Sequence, residues 1–227
     1  MSSNGYYDRP YLKRSVWKPE IAIYFWAGGM AGASALLAFV AHLSGNRPLH
    51  RSALTGALAG AVVSPVLLID DLGRPERFLN MLRVLKPTSP MSIGSWILAA
   101  FGGAVGTAAA SEFAFLPRLL GWPAEAVAAA LGPALSTYTS ALIATTAVPA
   151  WRDARRLLPL VFAGGSLASA GGFAAITTPP RQAGPARRLA LLGAGLELAS
   201  AAAMERHLGE AGAPYRAGGS ARSAVRL

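Results

Sequence analysis

Apolar residues run through this chain in long blocks, with polar residues gathered between them. The first block, IAIYFWAGGMAGASALLAFVAHL, covers residues 21–43 without a charged side chain. A bilayer-crossing helix needs roughly 20 mostly apolar residues, and the pattern predicts six such spans, at about 21–43, 52–70, 91–116, 124–149, 156–177 and 187–205. Residues 1–20 read as a polar lead-in, residues 21–205 as a membrane helix bundle, and residues 206–227 as a basic flexible tail. The expected fold is therefore all-α, a polytopic bundle. Its last two spans are rich in Gly and Ala, and small-xxx-small pairs recur at Gly28/Gly32, Gly56/Gly60 and Gly102/Gly106. Such pairs let helix backbones approach closely in lipid, so ordinary bundle packing accounts for them.

The segment between the second and third spans differs in pattern. Pro65 sits inside the second span and predicts a kink. Asp70 and Asp71 end that span, and Gly73 and Pro75 break the helix. From Pro75 to Lys86, Phe78, Met81, Leu82 and Leu85 fall on one helical stripe, which predicts a short amphipathic helix lying in the membrane interface. Ser89 before Pro90 is a good cap and first turn for the third span.

Composition sharpens this picture. The chain is 53% hydrophobic and only 14% charged, with a net charge of +10. In a soluble protein that charge would suggest nucleic acid. Here the basic residues lie between apolar blocks and serve as topology signals, so nucleic acid is not an expected partner. Fifteen Lys and Arg fall on the side holding the N-terminal segment, the 70–90 segment, the 150s and the tail, against six on the other side. This predicts a multi-pass protein of the cell membrane with both termini in the cytoplasm. Cysteine is absent, which excludes disulfides and thiolate-ligated iron–sulfur clusters in this chain. The three histidines, His42 at the end of the first span, His50 in a loop and His207 after the last span, do not supply two mid-span haem ligands. The reading assigns the chain no haem and no metal.

Several polar residues stand out on physical grounds. Asp70, Asp71, Arg74 and Arg77 have the makings of an ion-pair cluster at the mouth of the bundle, beside a basic surface suited to an acidic partner. Glu20 and Tyr24 stand one helical turn apart at the start of the first span, and Tyr138 lies near the middle of the fourth. Trp17 and Trp26 read as interface anchors. Among acids near spans, Glu197 is the more central, while Glu112 is expected near the far interface, paired with Arg118.

The stretch DLGRPERFLNMLRVLKPTSPMSIGSWIL closely resembles the signature of the NrfD/PsrC family of polysulfide-reductase-type integral membrane subunits. WKPEIAIYFWAGGMAGASALLA resembles that family's first span, and GPALSTYTSALIATTAVPAW its later span with a Tyr-Thr pair. The likeness covers roughly residues 15–175, and the style is that of compact actinobacterial members, often associated with formate dehydrogenase-like enzymes. The resemblance implies a membrane anchor and quinone-binding subunit, without chemistry beyond quinone redox, in an oxidoreductase complex with a molybdopterin catalytic subunit and a ferredoxin-like iron–sulfur subunit. The implied cofactor is a quinone, menaquinone or ubiquinone. It implies a quinone role for Tyr138, to which Glu20, Tyr24, Asp71 and Arg74 are added as the surround of the headgroup. Arg77, Arg83 and Lys86 become the partner-docking residues, and Asp70 and Glu197 candidates for a proton path. A transporter or proton-conducting subunit, or a purely structural anchor without a quinone, are the alternatives.

Overall fold

A computed structural model describes residues 19–71, 76–114, 116–146 and 148–209. Among these residues the chain is all-helical: α1 (Pro19–Leu43), α2 (Arg47–Asp71), α3 (Arg77–Met81), α4 (Pro90–Phe113), α5 (Arg118–Ala144), α6 (Pro149–Asp153), α7 (Leu158–Thr177) and α8 (Gly184–Leu208), with one 3₁₀ turn, Ala154–Arg156.

The long helices alternate in direction. Gly60 lies against Ala27 and Ala31, and Gly56 against Ser34, so α1 and α2 are antiparallel. Gly94 meets Tyr138 while Gly121 meets Ser111, which makes α4 and α5 antiparallel as well. Helix α1 packs against α2, α5 and α7 and forms the centre of the bundle. The starts of α1, α4 and α7 and the ends of α2, α5 and α8 therefore share one end of the molecule, here the proximal end. The opposite, distal end carries Arg47, Arg51, Arg118, Arg181, Arg187 and Arg188.

Small residues make the close crossings. A Cβ on Gly32 would lie 2.3 Å from the Gly132 carbonyl oxygen, and the reverse holds equally. The backbones of α1 and α5 therefore meet directly, and the buried Ser136 hydroxyl donates to the Gly29 carbonyl at 3.0 Å just beside them. Of the three sequence pairs, Gly28/Gly32 and Gly56/Gly60 are packing positions, whereas Gly102 and Gly106 face open space. Large apolar residues point outward instead: Val40, Val63, Leu119, Ile176 and Leu191 are all exposed. So wide an apolar surface on a bundle with small-residue crossings suits lipid, not water.

Five helices are long and apolar enough to cross a membrane: α1, α2, α4, α5 and α7. The expected sixth, α8, is long enough but carries Arg187, Arg188, Glu197, Glu205 and Arg206, which takes it outside that class. It still runs antiparallel along α7, with Gly193 against Ala168 and Gly171 against Ala190, and its Met204 and Leu208 join Ile143, Ala154 and Leu158 at the proximal end. Leu191, Leu192 and Leu198 face outward.

Other boundaries shift in informative ways. Helix α2 starts at Arg47 rather than 52, capped by the Asn46 side chain, which accepts from the Leu49 amide at 3.3 Å. The tight turn before it uses Gly45 at φ +70°. Helix α2 continues through Pro65. The fourth predicted span, 124–149, is replaced by α5 at 118–144 with the separate α6 after it. The amphipathic helix predicted from Pro75 to Lys86 is only five residues, ending at Met81, followed by turn bonds from Leu82 to Leu79 and Arg83 to Asn80. Leu85 lies beyond it and is exposed. With Pro87 next in the chain, Lys86 is disfavoured from continuing a helix. The Ser89–Pro90 start of α4 forms as expected, with the Ser89 hydroxyl accepting from the Ser92 amide.

Candidate functional site

At the proximal end, two tyrosines meet one apolar cluster, with an acid one helical turn from the first of them. Tyr24 in α1 is buried with Ala61, Leu98, Phe101 and Leu135, and Tyr138 in α5 packs against the same cluster. Leu67 and Leu68 of α2 and Ile97 of α4 line it too. Gly94 exists here for a steric reason: a Cβ on it would stand 2.2 Å from the Tyr138 ring. Tyr138 thus sits directly against the α4 backbone at Gly94. It lies six residues before the end of α5 rather than near mid-span, because α5 ends at Ala144. That correction brings it level with Tyr24 and the end of α2. Among the described residues, neither phenol hydroxyl has a hydrogen-bond partner. Glu20, one turn before Tyr24, has a carboxylate oxygen that is buried and equally without one. A buried carboxylate oxygen left unsatisfied beside an apolar cluster is costly unless a ligand or water completes it.

The remaining sequence candidates divide. Arg74, and the side chains of Asp71 and Arg77, lie outside the described residues, as does Trp17. Asp70, Arg83 and Lys86 are exposed at the proximal end, and among the described residues they form no ion pair. Trp26 is exposed and its indole donates to the Ser169 hydroxyl at 3.0 Å, tying α1 to α7. Glu197 is half-buried against Gly164 and Gly165 of α7. Glu112 pairs with Arg51 at 2.7 Å, not with Arg118. The earlier start of α2 adds a helical turn that carries Arg51 to it.

A second constellation occupies the distal end. Glu125 of α5 is buried, and its Oε2 lies 2.7 Å from His42 Nδ1 of α1, while its Oε1 lies 3.0 Å from His50 Nε2 of α2. His50 is not in a loop but in the first turn of α2, and it is buried. The three side chains open onto a cavity of about 400 Å³ lined also by Arg51, Glu112 and Trp122. Sequence reasoning missed Glu125. With the span placed at 124–149 it looks like an ordinary first-turn acid, whereas α5 actually begins two turns earlier. The available signal was the spacing of His42 and His50 across a three-residue turn, which forces two imidazoles together at one end of a helical hairpin.

No curated protein and no solved structure matches the chain. Residues 11–179 match the family model described as "Polysulphide reductase, NrfD". That span takes in α1 to α7, the proximal cluster and the distal triad alike. The chain therefore belongs to the NrfD polysulphide reductase family, as a multi-pass membrane subunit of a redox complex.

Proposed function

We propose that this chain exchanges electrons between an iron–sulfur subunit and the membrane quinone pool, holding the quinone headgroup at the proximal end of the bundle. The observation that carries the reading is the unpartnered carboxylate oxygen of Glu20, one turn from Tyr24, whose apolar cluster also holds Tyr138. A bound quinone supplies a two-electron, two-proton redox couple. The Tyr138 hydroxyl is suited to donate a hydrogen bond to a carbonyl, and Glu20 to pass protons between the pocket and water. Leu67, Leu68 and Leu98 keep the pocket dry and accept an isoprenoid tail.

Partner docking belongs to the same end. Arg83 and Lys86 are exposed beside α3 and are free to meet an acidic subunit surface. Arg77 is the third docking residue in the proposal, with Asp71 and Arg74 assigned to the headgroup surround, and the proposal puts both termini and the iron–sulfur subunit on the cytoplasmic side. Placing the iron–sulfur subunit there brings its nearest cluster to the end where the tyrosines lie.

Purification of the native complex in mild detergent tests the assignment. Iron–sulfur and molybdopterin subunits are expected to co-purify, and organic extraction is expected to release a quinone retained through gel filtration. Substituting Glu20→Gln is expected to leave subunit composition intact while lowering quinol-linked turnover roughly tenfold, less than the about 100-fold or more for a proton-transfer group lost outright, because water at the start of α1 can relay in its place. An intact complex whose turnover with quinol is unchanged by Glu20→Gln contradicts the role given to that residue.

A further inference from the structure

The structure assigns a divalent transition-metal site of the zinc class to His42, His50 and Glu125 at the distal end. This inference is independent of the quinone reading, since the two groups sit near opposite ends of α1, roughly 33 Å apart at about 1.5 Å per residue.

Burial comes first. Glu125 is 4% exposed and His50 is 6% exposed. A carboxylate taken out of water is costly unless cationic or hydrogen-bonding partners satisfy it fully. Protons alone give only one of its oxygens a well-aligned hydrogen bond. His42 Nδ1 is aligned with Oε2 as a hydrogen bond at 2.7 Å. His50 Nε2 stands 3.0 Å from Oε1, close enough for an ion pair but out of line for a well-directed hydrogen bond. A cation between the three groups gives both of these atoms a directed partner at once.

Geometry and donor chemistry agree. One ligand atom from each residue lies within 4.8 Å of the other two. Four-coordinate zinc, with bonds of about 2.0–2.2 Å, needs its ligand atoms about 3.3 Å apart. The His42 side chain is 43% exposed and has room for the small rotation that closes the gap. Two imidazoles and one carboxylate are the donor set of open zinc sites, whereas Ca²⁺ and Mg²⁺ demand mostly oxygen. Three protein ligands leave one position for water or another exogenous oxygen, and that position faces the cavity.

Charge is also compatible. The imidazole rings lie 4.9 Å apart, so two imidazolium ions there repel one another, while Arg47, Arg51 and Arg118 line the same cavity with Glu112 paired to Arg51. One Zn²⁺ replacing two protons leaves the net charge of the triad unchanged while making both imidazoles neutral ligands. The ion would pin α1, α2 and α5 together at the distal end, beyond the α1–α5 contact at Gly32 and Gly132.

Metal binding to the full chain in lipid nanodiscs tests the site. Protein stripped with chelator is equilibrated with zinc chloride, gel-filtered and analysed for zinc by mass spectrometry. One zinc per chain is expected. His42→Ala, which alters the most exposed ligand, and Glu125→Gln are each expected to weaken retention at least about tenfold, while His207→Ala retains full stoichiometry. Cobalt substitution is expected to give the intense visible bands of a four-coordinate ion, absent in His42→Ala. Wild-type protein that stays folded yet retains only substoichiometric zinc overturns the proposal. So does zinc that persists undiminished in His42→Ala, which keeps the test decisive if Glu125→Gln fails to fold.

Discussion

Tyr138→Phe is expected to lower quinol-linked turnover of the assembled complex by roughly 10- to 100-fold, the effect of losing one well-placed hydrogen bond worth about 1.5–3 kcal/mol in a dry site. The substitution removes only the hydroxyl. The ring keeps its seat on Gly94 and its place beside the cluster of Tyr24, Leu98 and Leu135, so assembly and thermal stability are expected to stay at wild-type levels. Because the hydroxyl has no protein partner among the described residues, its loss strands nothing in the apo pocket. The ring's position is testable separately. Gly94→Ala puts a methyl 2.2 Å from the ring and must displace it, so this variant is expected to copy the turnover defect with the hydroxyl still present. Steady-state assay of intact complexes with a soluble quinol measures both. Wild-type turnover in Tyr138→Phe removes this residue from the site.

The second large effect concerns the bundle itself. Gly132→Ala is expected to destabilise the chain by about 3 kcal/mol, the upper part of the range for overpacking, seen as a fall in Tm of roughly 6–12 °C. The added methyl would stand 2.3 Å from the Gly32 carbonyl oxygen, and a backbone cannot swing aside as a flexible side chain can. Helices α1 and α5 must separate, which also breaks the Ser136–Gly29 hydrogen bond. Gly102→Ala is the matched control. Nothing lies within 4 Å of the new methyl, and alanine favours a helix over glycine by about 1 kcal/mol, so stability is expected to hold or rise. Equal losses in the two variants would place the α1–α5 contact elsewhere.

Much of the architecture was legible because membrane helices announce themselves by length and apolarity. The first, second, third and fifth spans were placed within a few residues at most of their ends. The errors share a physical cause: polar residues at helix ends. Arg47, His50 and Arg51 look like loop residues by hydropathy, yet Asn46 caps a helix that begins with them. The same bias clipped the start of α5, hid Glu125 as a boundary acid and put Tyr138 too deep. Helix α8 shows the reverse. Its Ala, Gly and Leu content reads as a span, while its arginines and glutamates place it outside the apolar class. Among the proximal residues, helix spacing singled out Glu20 and Tyr24, and the family resemblance singled out Tyr138. The spacing of His42 and His50 pairs the imidazoles, but the contact of Glu125 with both depends on how α5 packs against α1 and α2, which no linear pattern encodes.

The central claim is that the quinone headgroup lies at the proximal end, among Glu20, Tyr24 and Tyr138. Photolabelling of the intact complex with a short-tailed azidoquinone, followed by peptide mapping, tests it most directly. The account predicts label on the peptides holding Tyr24 and Tyr138, displaced by excess native quinone. Displaceable label confined to the peptides around His42, His50 and Glu125 would contradict it.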